Sequence, residues 1–318
     1  MKDFVSYLTE NINTVAIVGH IRPDGDCVGS CMATYNYIST YYPKIVVDVY
    51  LEPIPTIFNF LKNTDKIQHT CENNQIYDIC IVQDCGDVGR LGNAVKYFKT
   101  AGKTICIDHH ISNENFADEN HIFPLVSSTS ELVFELIGEQ NLTKEIAECI
   151  YVGIVHDTGV FQFSSTTART MNIAGKLMET GIDFTKIVDD TFFTKTFDQN
   201  KIMGRVLLDS ELYLDHKCII GIATLAQMAE YNVLPKHLNG IVNQLRVTKD
   251  VEVAVFLYET ENGDYKVSMR SNGKVDVAAI SMKFKGGGHK RASGFTLHEP
   301  KEAVIEQICQ EIEKQLFH

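Results

Sequence analysis

The sequence predicts an α/β chain in two parts: an N-terminal domain on a mainly parallel sheet, and a smaller C-terminal α/β domain on a mixed sheet. Three observations carry this. Through residue 190, short β-branched apolar runs alternate with helical stretches, as when strands are buried on both faces and joined by crossover helices. Beyond residue 200 the pattern changes to paired strands joined by a polar turn. Between the two, at 191–200, the apolar periodicity lapses, which places a linker there. The expected domains are 1–190 and 201–318, and 318 residues suffice for two separate cores.

Residues 14–19 read as a buried strand that stops at His20. Pro23 and Gly25 turn the chain through Asp24 and Asp26, and Asp26 is the expected cap of a helix over 28–41. A second strand spans 45–51, and a short helix over 57–61 follows Pro55. Residues 77–82 form a third strand ending at Asp84. The glycines after it, Gly86, Gly89 and Gly92, lack the dinucleotide-fingerprint spacing, so a Rossmann cofactor site is discounted. A fourth apolar run, 104–107, stops abruptly at Asp108-His109-His110. After the apolar stretch 123–126, Ser128-Thr129-Ser130-Glu131 opens a helix to 139. A buried helix over 143–155 ends in His156-Asp157-Thr158-Gly159, and helices over 168–180 and 184–190 close this half. The second half reads as a helix over 202–208, strands over 212–223, 251–258 and 265–269, a helix over 275–284, a loop over 285–294 and a last helix over 300–316. Glu261-Asn262-Gly263-Asp264 turns the hairpin.

The chain carries 29 basic and 41 acidic residues, a net charge of −12, which excludes the coating of a long polyanion. The nine cysteines are scattered and odd in number, which argues against a disulfide framework and for a reducing cytoplasm. Cys27 and Cys31 are spaced like zinc ligands, but no second pair follows, and they read as small core residues. Met1-Lys2-Asp3-Phe4 lacks the layout of a secretion signal, and no apolar run approaches the ~18 residues that span a bilayer.

Parallel sheets gather ligands beyond the carboxyl ends of their strands. His20, Asp24, Asp26, Asp84, Asp108, His109 and His110 all lie on that edge, and Asp157 can join them. Five carboxylates and three imidazoles in one crevice require cations. The set is too large for one divalent ion and suits two, with Asp84 as the bridge. Mixed imidazole and carboxylate donors suit Mn²⁺, with Mg²⁺, Co²⁺ or Zn²⁺ as alternatives. In the second half, Gly286-Gly287-Gly288-His289 lets backbone amides approach an anion, and Arg270, Lys290 and Arg291 offer cations for phosphate.

Taken together, His20-x-x-Pro23-Asp24-Gly25-Asp26, Asp84, Asp108-His109-His110 and Asp157-Thr158-Gly159 resemble the DHH phosphoesterase superfamily. Val267-Ser268-Met269-Arg270-Ser271, Val275-Asp276-Val277 and the segment 286–294 look like its DHHA1 substrate-binding domain. The pattern is most similar to the stand-alone NrnA-type branch of oligoribonucleases (nanoRNases) and 3′-phosphoadenosine 5′-phosphate (pAp) phosphatases. The resemblance implies an active site in the cleft between the domains. It makes His20, Asp24 and Asp84 ligands of one Mn²⁺, and Asp26, Asp84, His109 and Asp157 ligands of another. Asp108 would orient a neighbouring imidazole or add a ligand, and His110 would meet the scissile phosphate. Gly287, Gly288, Arg270, His289 and Arg291 would grip the substrate phosphate, with Arg90 as a further contact. The implied substrates are very short RNA, linear dinucleotides such as pApA and pGpG, and pAp. Alternatives are a cyclic-dinucleotide phosphodiesterase, a single-strand exonuclease of the RecJ type, or a non-catalytic nucleotide sensor; a homodimer stays open. Lys285 stands where many relatives have glycine, and Gln162 where arginine is common.

Overall fold

The computed structural model describes residues 4–317, so the first three residues, read above against a secretion signal, lie outside it. The chain forms two compact units, Met1–Thr194 and Lys195–His318.

The first unit begins with β1 (Thr14–Val18), α1 (Gly25–Tyr41), β2 (Val46–Tyr50), β3 (Ile67–Gln68), β4 (Ile79–Gln83), α2 (Val95–Thr100), β5 (Lys103–Asp108) and β6 (Glu119–Ile122). Helices α3 (Thr129–Ile137), α4 (Lys144–Asp157), α5 (Ala168–Glu179) and α6 (Phe184–Val188) complete it. Its sheet is parallel throughout, in the order β3-β2-β1-β4-β5-β6. The strand order reverses between β1 and β4, which makes the gap beyond their carboxyl ends the natural ligand crevice.

The continuous apolar runs follow from burial on both faces. Val15, Ile17, Ile79, Ile81, Ile105 and Ile107 pack with α1, α3 and α4. Their neighbours Ala16, Val18, Cys80, Val82 and Cys106 point the other way, against Tyr50, Tyr77 and Tyr97. Sequence periodicity gave no sign of β3 or β6, because these short outer strands carry too few apolar residues to register; the apolar stretch 123–126 follows β6 rather than forming a strand. Seven of the nine cysteines are buried, and all nine are free thiols.

Helix α1 starts earlier than expected, and its cap is Asp24. Oδ1 of Asp24 accepts from the amides of Asp26 and Cys27, each at 3.2 Å. Asp26, expected as that cap, sits in the first turn and turns inward. It reaches the start of α3 instead, where Ser128 is the cap.

In the second unit come α7 (Phe197–Leu208), β7 (Glu211–Tyr213), β8 (Cys218–Ala223), α8 (Leu225–Glu230), α9 (Ile241–Arg246), β9 (Val253–Glu259) and β10 (Tyr265–Ser271). Then follow α10 (Val277–Lys283), β11 (Gly287–His289), β12 (Ala292–Leu297) and α11 (Lys301–Leu316). The sheet order is β11-β12-β10-β9-β8-β7, with only β8 and β9 parallel. Residues 191–200, read as linker, contain the end of a π-helical turn (Asp189–Phe193) and the first turn of α7, which Thr196 caps. The expected loop 285–294 is a hairpin, β11 on β12. A Cβ at Gly286 would lie 2.3 Å from the Gly294 carbonyl oxygen, and one at Gly288 2.4 Å from that of Ala292. These glycines permit close strand pairing, so the backbone here is extended rather than folded into a concave nest.

The helices bearing the aspartates pack through glycine. A Cβ at Gly29 of α1 would sit 2.5 Å from the Cys149 carbonyl oxygen, and one at Gly153 of α4 would sit 1.9 Å from Ser130 Oγ and 2.6 Å from Asp26 Oδ1. Gly153→Ala is expected to destabilise the protein by about 2–4 kcal/mol through overpacking. Gly175→Ala, on α5 with nothing within 4 Å of the new methyl, is expected to be neutral or to stabilise by about 0.5–1 kcal/mol. Denaturant melts of the two variants check the contrast.

Candidate metal centre

Four segments deliver side chains to the crevice beyond β1, β4 and β5. His20 follows β1 and is 3% exposed. Its Nδ1 donates to the Ile21 carbonyl at 2.8 Å, which fixes the tautomer and leaves the Nε2 lone pair facing inward. That nitrogen is 3.5 Å from Asp84 Oδ2 and 3.7 Å from Asp24 Oδ1. Asp84 follows β4 in the left-handed region at φ +54°, a conformation aspartate tolerates better than most residues. Its other oxygen, Oδ1, lies 3.6 Å from His109 Nε2 and 3.8 Å from His110 Nδ1. Asp84 thus offers one oxygen to each of two imidazole-bearing groups.

His109 Nε2 also lies 3.0 Å from Asp157 Oδ2 and 4.0 Å from Asp26 Oδ2. Asp157 is the last residue of α4, and the chain behind it turns away sharply. Gly159, Val160 and Phe161 are all left-handed, with the Val160 amide bonded to the Val155 carbonyl. Non-glycine residues in this conformation cost roughly 1–2 kcal/mol each, so the turn is strained at the point where the helix must end.

Asp26 is wholly buried, and both its oxygens accept from the α3 N-terminus: Oδ2 from the Thr129 amide at 2.6 Å and Oδ1 from the Ser130 amide at 2.9 Å. Thr129 Oγ1 lies 3.3 Å from Asp84 Oδ1 as its donor. Asp108 is equally buried and fully occupied. Its Oδ1 accepts from His110 Nδ1 at 2.7 Å and from the His109 amide at 2.9 Å, and its Oδ2 from Asn113 Nδ2 at 2.7 Å. It therefore orients the His110 ring. Thr129, Ser130 and Asn113 were missed in the sequence; only the Ser-Thr-Ser-Glu helix start hinted at amides free to meet an anion. Cys27 is a further surprise: with His20 and Asp84 it forms a group of buried potential ligands.

The charges report the crowding. Burial raises Asp26 well above the ordinary carboxylate range, and the nearby Asp84 and Asp157 charges push the same way. Burial likewise raises Asp157, against the pull of His109. Burial alone would lower His109, but Asp157, Asp26 and Asp84 outweigh it and lift the imidazole to about 10. Burial drives His156 down to about 4 against the weaker upward pull of the Asp24 charge, so it stays neutral.

Among the described residues no lysine or arginine pairs with Asp24, Asp26, Asp84 or Asp157. Carboxylate oxygens and imidazole nitrogens that converge within 4.8 Å of one another are the donor set that divalent cations take.

The expected phosphate-binding residues lie in the second unit, apart from Arg90. Arg270 on β10 donates to Asn243 and to its neighbour's carbonyl at Met269. Gly287, Gly288, His289 and Arg291 are exposed on the β11–β12 hairpin, where the Arg291 carbonyl accepts from the Ser271 amide beside Arg270. Arg90 is half-buried, its carbonyl bonded to the Ile21 amide in the loop that follows His20.

Residues 14–154 match the model of the DHH family N-terminal domain, and residues 221–316 that of the DHHA1 domain. The chain thus carries a DHH-family domain followed by a DHHA1 domain. Proteins named bifunctional oligoribonuclease and PAP phosphatase NrnA are similar over nearly its whole length. The one from Thermus thermophilus is 27% identical, covering 94% of this chain and 90% of the relative. The one from Bacillus subtilis is 26% identical, covering 95% and 96%. Among solved structures, an exopolyphosphatase-related protein from Bacteroides fragilis superposes with a TM-score of 0.91 at 28% identity, covering 98% of this chain and 94% of that one. DHH phosphoesterases use divalent metal ions, which agrees with the donor set.

The raised imidazole sets a pH dependence for the metal-free protein. His109 holds a proton in the fold up to about pH 10 that the unfolded chain releases near 6.5, so its contribution is complete below 6.5 and is lost as pH rises toward 10. Asp26 and Asp157, also raised, act in the same sense at lower pH. The metal-free protein is expected to melt several degrees lower at pH 9 than at pH 6.5, and Mn²⁺ to stabilise it more as the pH rises. Scanning calorimetry with and without metal checks both; a melting temperature that climbs without metal would contradict the charge balance.

Proposed function

We propose that the chain is a two-metal phosphoesterase that hydrolyses very short oligoribonucleotides and linear dinucleotides to nucleoside monophosphates, and pAp to AMP and phosphate. The observation that carries this reading is the Asp84 carboxylate, with one oxygen toward His20 and the other toward His109. Such sharing is what two adjacent cations need for in-line attack at phosphorus. The names of the NrnA relatives support the substrate class, and the acidic chain with a local basic hairpin supports short substrates over long ones.

His20, Asp24 and Asp84 would hold one ion, and Asp26, Asp84, His109 and Asp157 the other. Mn²⁺ suits the mixed donors, with Mg²⁺ or Co²⁺ as alternatives. When bound, the ions supply Lewis acidity toward the phosphoryl oxygens and lower the pKa of an attacking water. His110, its Nδ1 bonded to Asp108, would meet a phosphate oxygen or the leaving oxygen. Arg270, His289 and Arg291 would bind substrate phosphate beside Gly287 and Gly288 on the hairpin, with Arg90 a further contact. In this reading residues 1–190 form the catalytic domain and 201–318 the substrate domain, working in the cytoplasm.

Hydrolysis of pApA, pGpG, pAp, inorganic polyphosphate and a twenty-nucleotide RNA in Mn²⁺ tests the proposal. Dinucleotides and pAp are expected to turn over far faster than the long RNA; equal rates would sink the short-substrate claim, and turnover of polyphosphate alone would redirect the assignment. Asp84→Asn, which suits the left-handed backbone, is expected to reduce hydrolysis to near background while leaving the metal-free melt unchanged or higher. Arg291→Ala is expected to raise KM about tenfold with little change in kcat, as for loss of one charge-assisted phosphate contact.

A further inference from the structure

Asp24 and Asp26 enter the site from the start of α1, and Asp157 from the end of α4. The residue wedged between these two arms is His156. A Cβ added at Gly25 would lie 2.3–2.7 Å from its Cγ, Cβ and Cδ2 atoms, so the turn bearing Asp24 and Asp26 rests directly on the imidazole. Phe58 and Phe192 meet the ring edge-to-face, with centroids at 5.0 and 5.8 Å, and set its plane. The ring is also anchored at its far side. The Thr191 hydroxyl donates to the Ile187 carbonyl at 2.8 Å, so its oxygen is left to accept from His156 Nε2–H at 3.0 Å. Thr191 is buried on the π-helical turn Asp189–Phe193, which ends one residue short of the first unit's boundary. The pattern has a purpose that packing alone would not require: a part-buried hydrogen bond fixes the rotation of a ring that touches one ligand-bearing turn and is covalently next to another ligand.

We propose that His156 is a positioning residue that sets the spacing between the Asp24/Asp26 arm and the Asp157 arm, with Thr191 holding it in place. The proposal rests on the two-metal reading of the site. It places part of the control of metal affinity in a π-helical turn that contributes no ligand.

The test is Mn²⁺ binding by the metal-free full chain, followed by the electron-spin signal of free Mn²⁺, for the wild type and for Thr191→Val, Thr191→Ser and His156→Phe. Thr191→Val and His156→Phe are each expected to weaken binding about five- to tenfold, the effect of one lost hydrogen bond. Thr191→Ser keeps the acceptor and is expected to bind as the wild type does. In dinucleotide hydrolysis the two weakened variants should show reduced kcat at limiting Mn²⁺, restored by excess Mn²⁺, with KM unchanged throughout. Circular dichroism establishes that each variant is folded, and should His156→Phe fail to fold, the Thr191 pair decides alone. Equal Mn²⁺ affinity for folded Thr191→Val and wild type would overturn the proposal, as would a Thr191→Ser variant as weak as Thr191→Val. A wild-type chain that binds no Mn²⁺ would take down the two-metal reading as well, so the two failures are told apart.

Discussion

Negative charge confined in one crevice is the constraint on which the rest of the first unit depends. Asp84 stands at its centre, buried, in a left-handed backbone conformation, with an imidazole on either side. A carboxylate there is tolerable only if cations or protons are at hand. The fold meets that need in two ways. Backbone amides at the start of α3 stabilise Asp26, and Asn113 with His110 stabilises Asp108, so these two carboxylates are fixed before any ion arrives. Asp24, Asp84 and Asp157 keep oxygens near imidazole nitrogens, and Asp26 keeps Oδ2 4.0 Å from His109 Nε2, so all four stay available to metal.

The helices obey the same constraint. α1 and α4 must approach closely to bring Asp26 and Asp157 to one imidazole, and the glycines at 29 and 153 allow it. α4 must then stop at Asp157, and the left-handed Val160 and Phe161 behind it are the local strain that the stop entails. Preorganisation of this kind places the ligands at small distances without waiting for the ion to gather them.

Much of this was legible in the sequence, and what was not has identifiable causes. The interior strands showed as unbroken apolar runs because both faces of the sheet are covered, and each run stopped at a polar site residue because the carboxyl edge is where the crevice opens. β6 went unseen because Glu119-Asn120-His121-Ile122 at the sheet's edge has no apolar pattern to show. Asp24 and Asp26 flank one glycine, and local chemistry cannot say which caps α1; the choice is made by α3, about a hundred residues away, whose free amides claim Asp26. Thr129 was missed for the same reason, since a threonine in a helix start acquires its role through Asp84, far away in the chain; Asn113, in a loop only five residues from Asp108, gave no pattern to mark it. The glycines at 286–288 misled in another way: they suit an anion nest and a tight strand pairing equally well, and only the pairing with β12 distinguishes the two.

The distribution of thiols has a consequence of its own. Cys27, Cys31 and Cys149 lie in the layer between the sheet and helices α1 and α4, whereas Cys80, Cys85 and Cys106 lie in the layer with the tyrosines on the opposite face. Only Cys71 and Cys309 reach partway to solvent. An alkylating reagent would find the rest only when a layer opens, so the order in which these sulfurs become labelled would chart which side of the sheet breathes first.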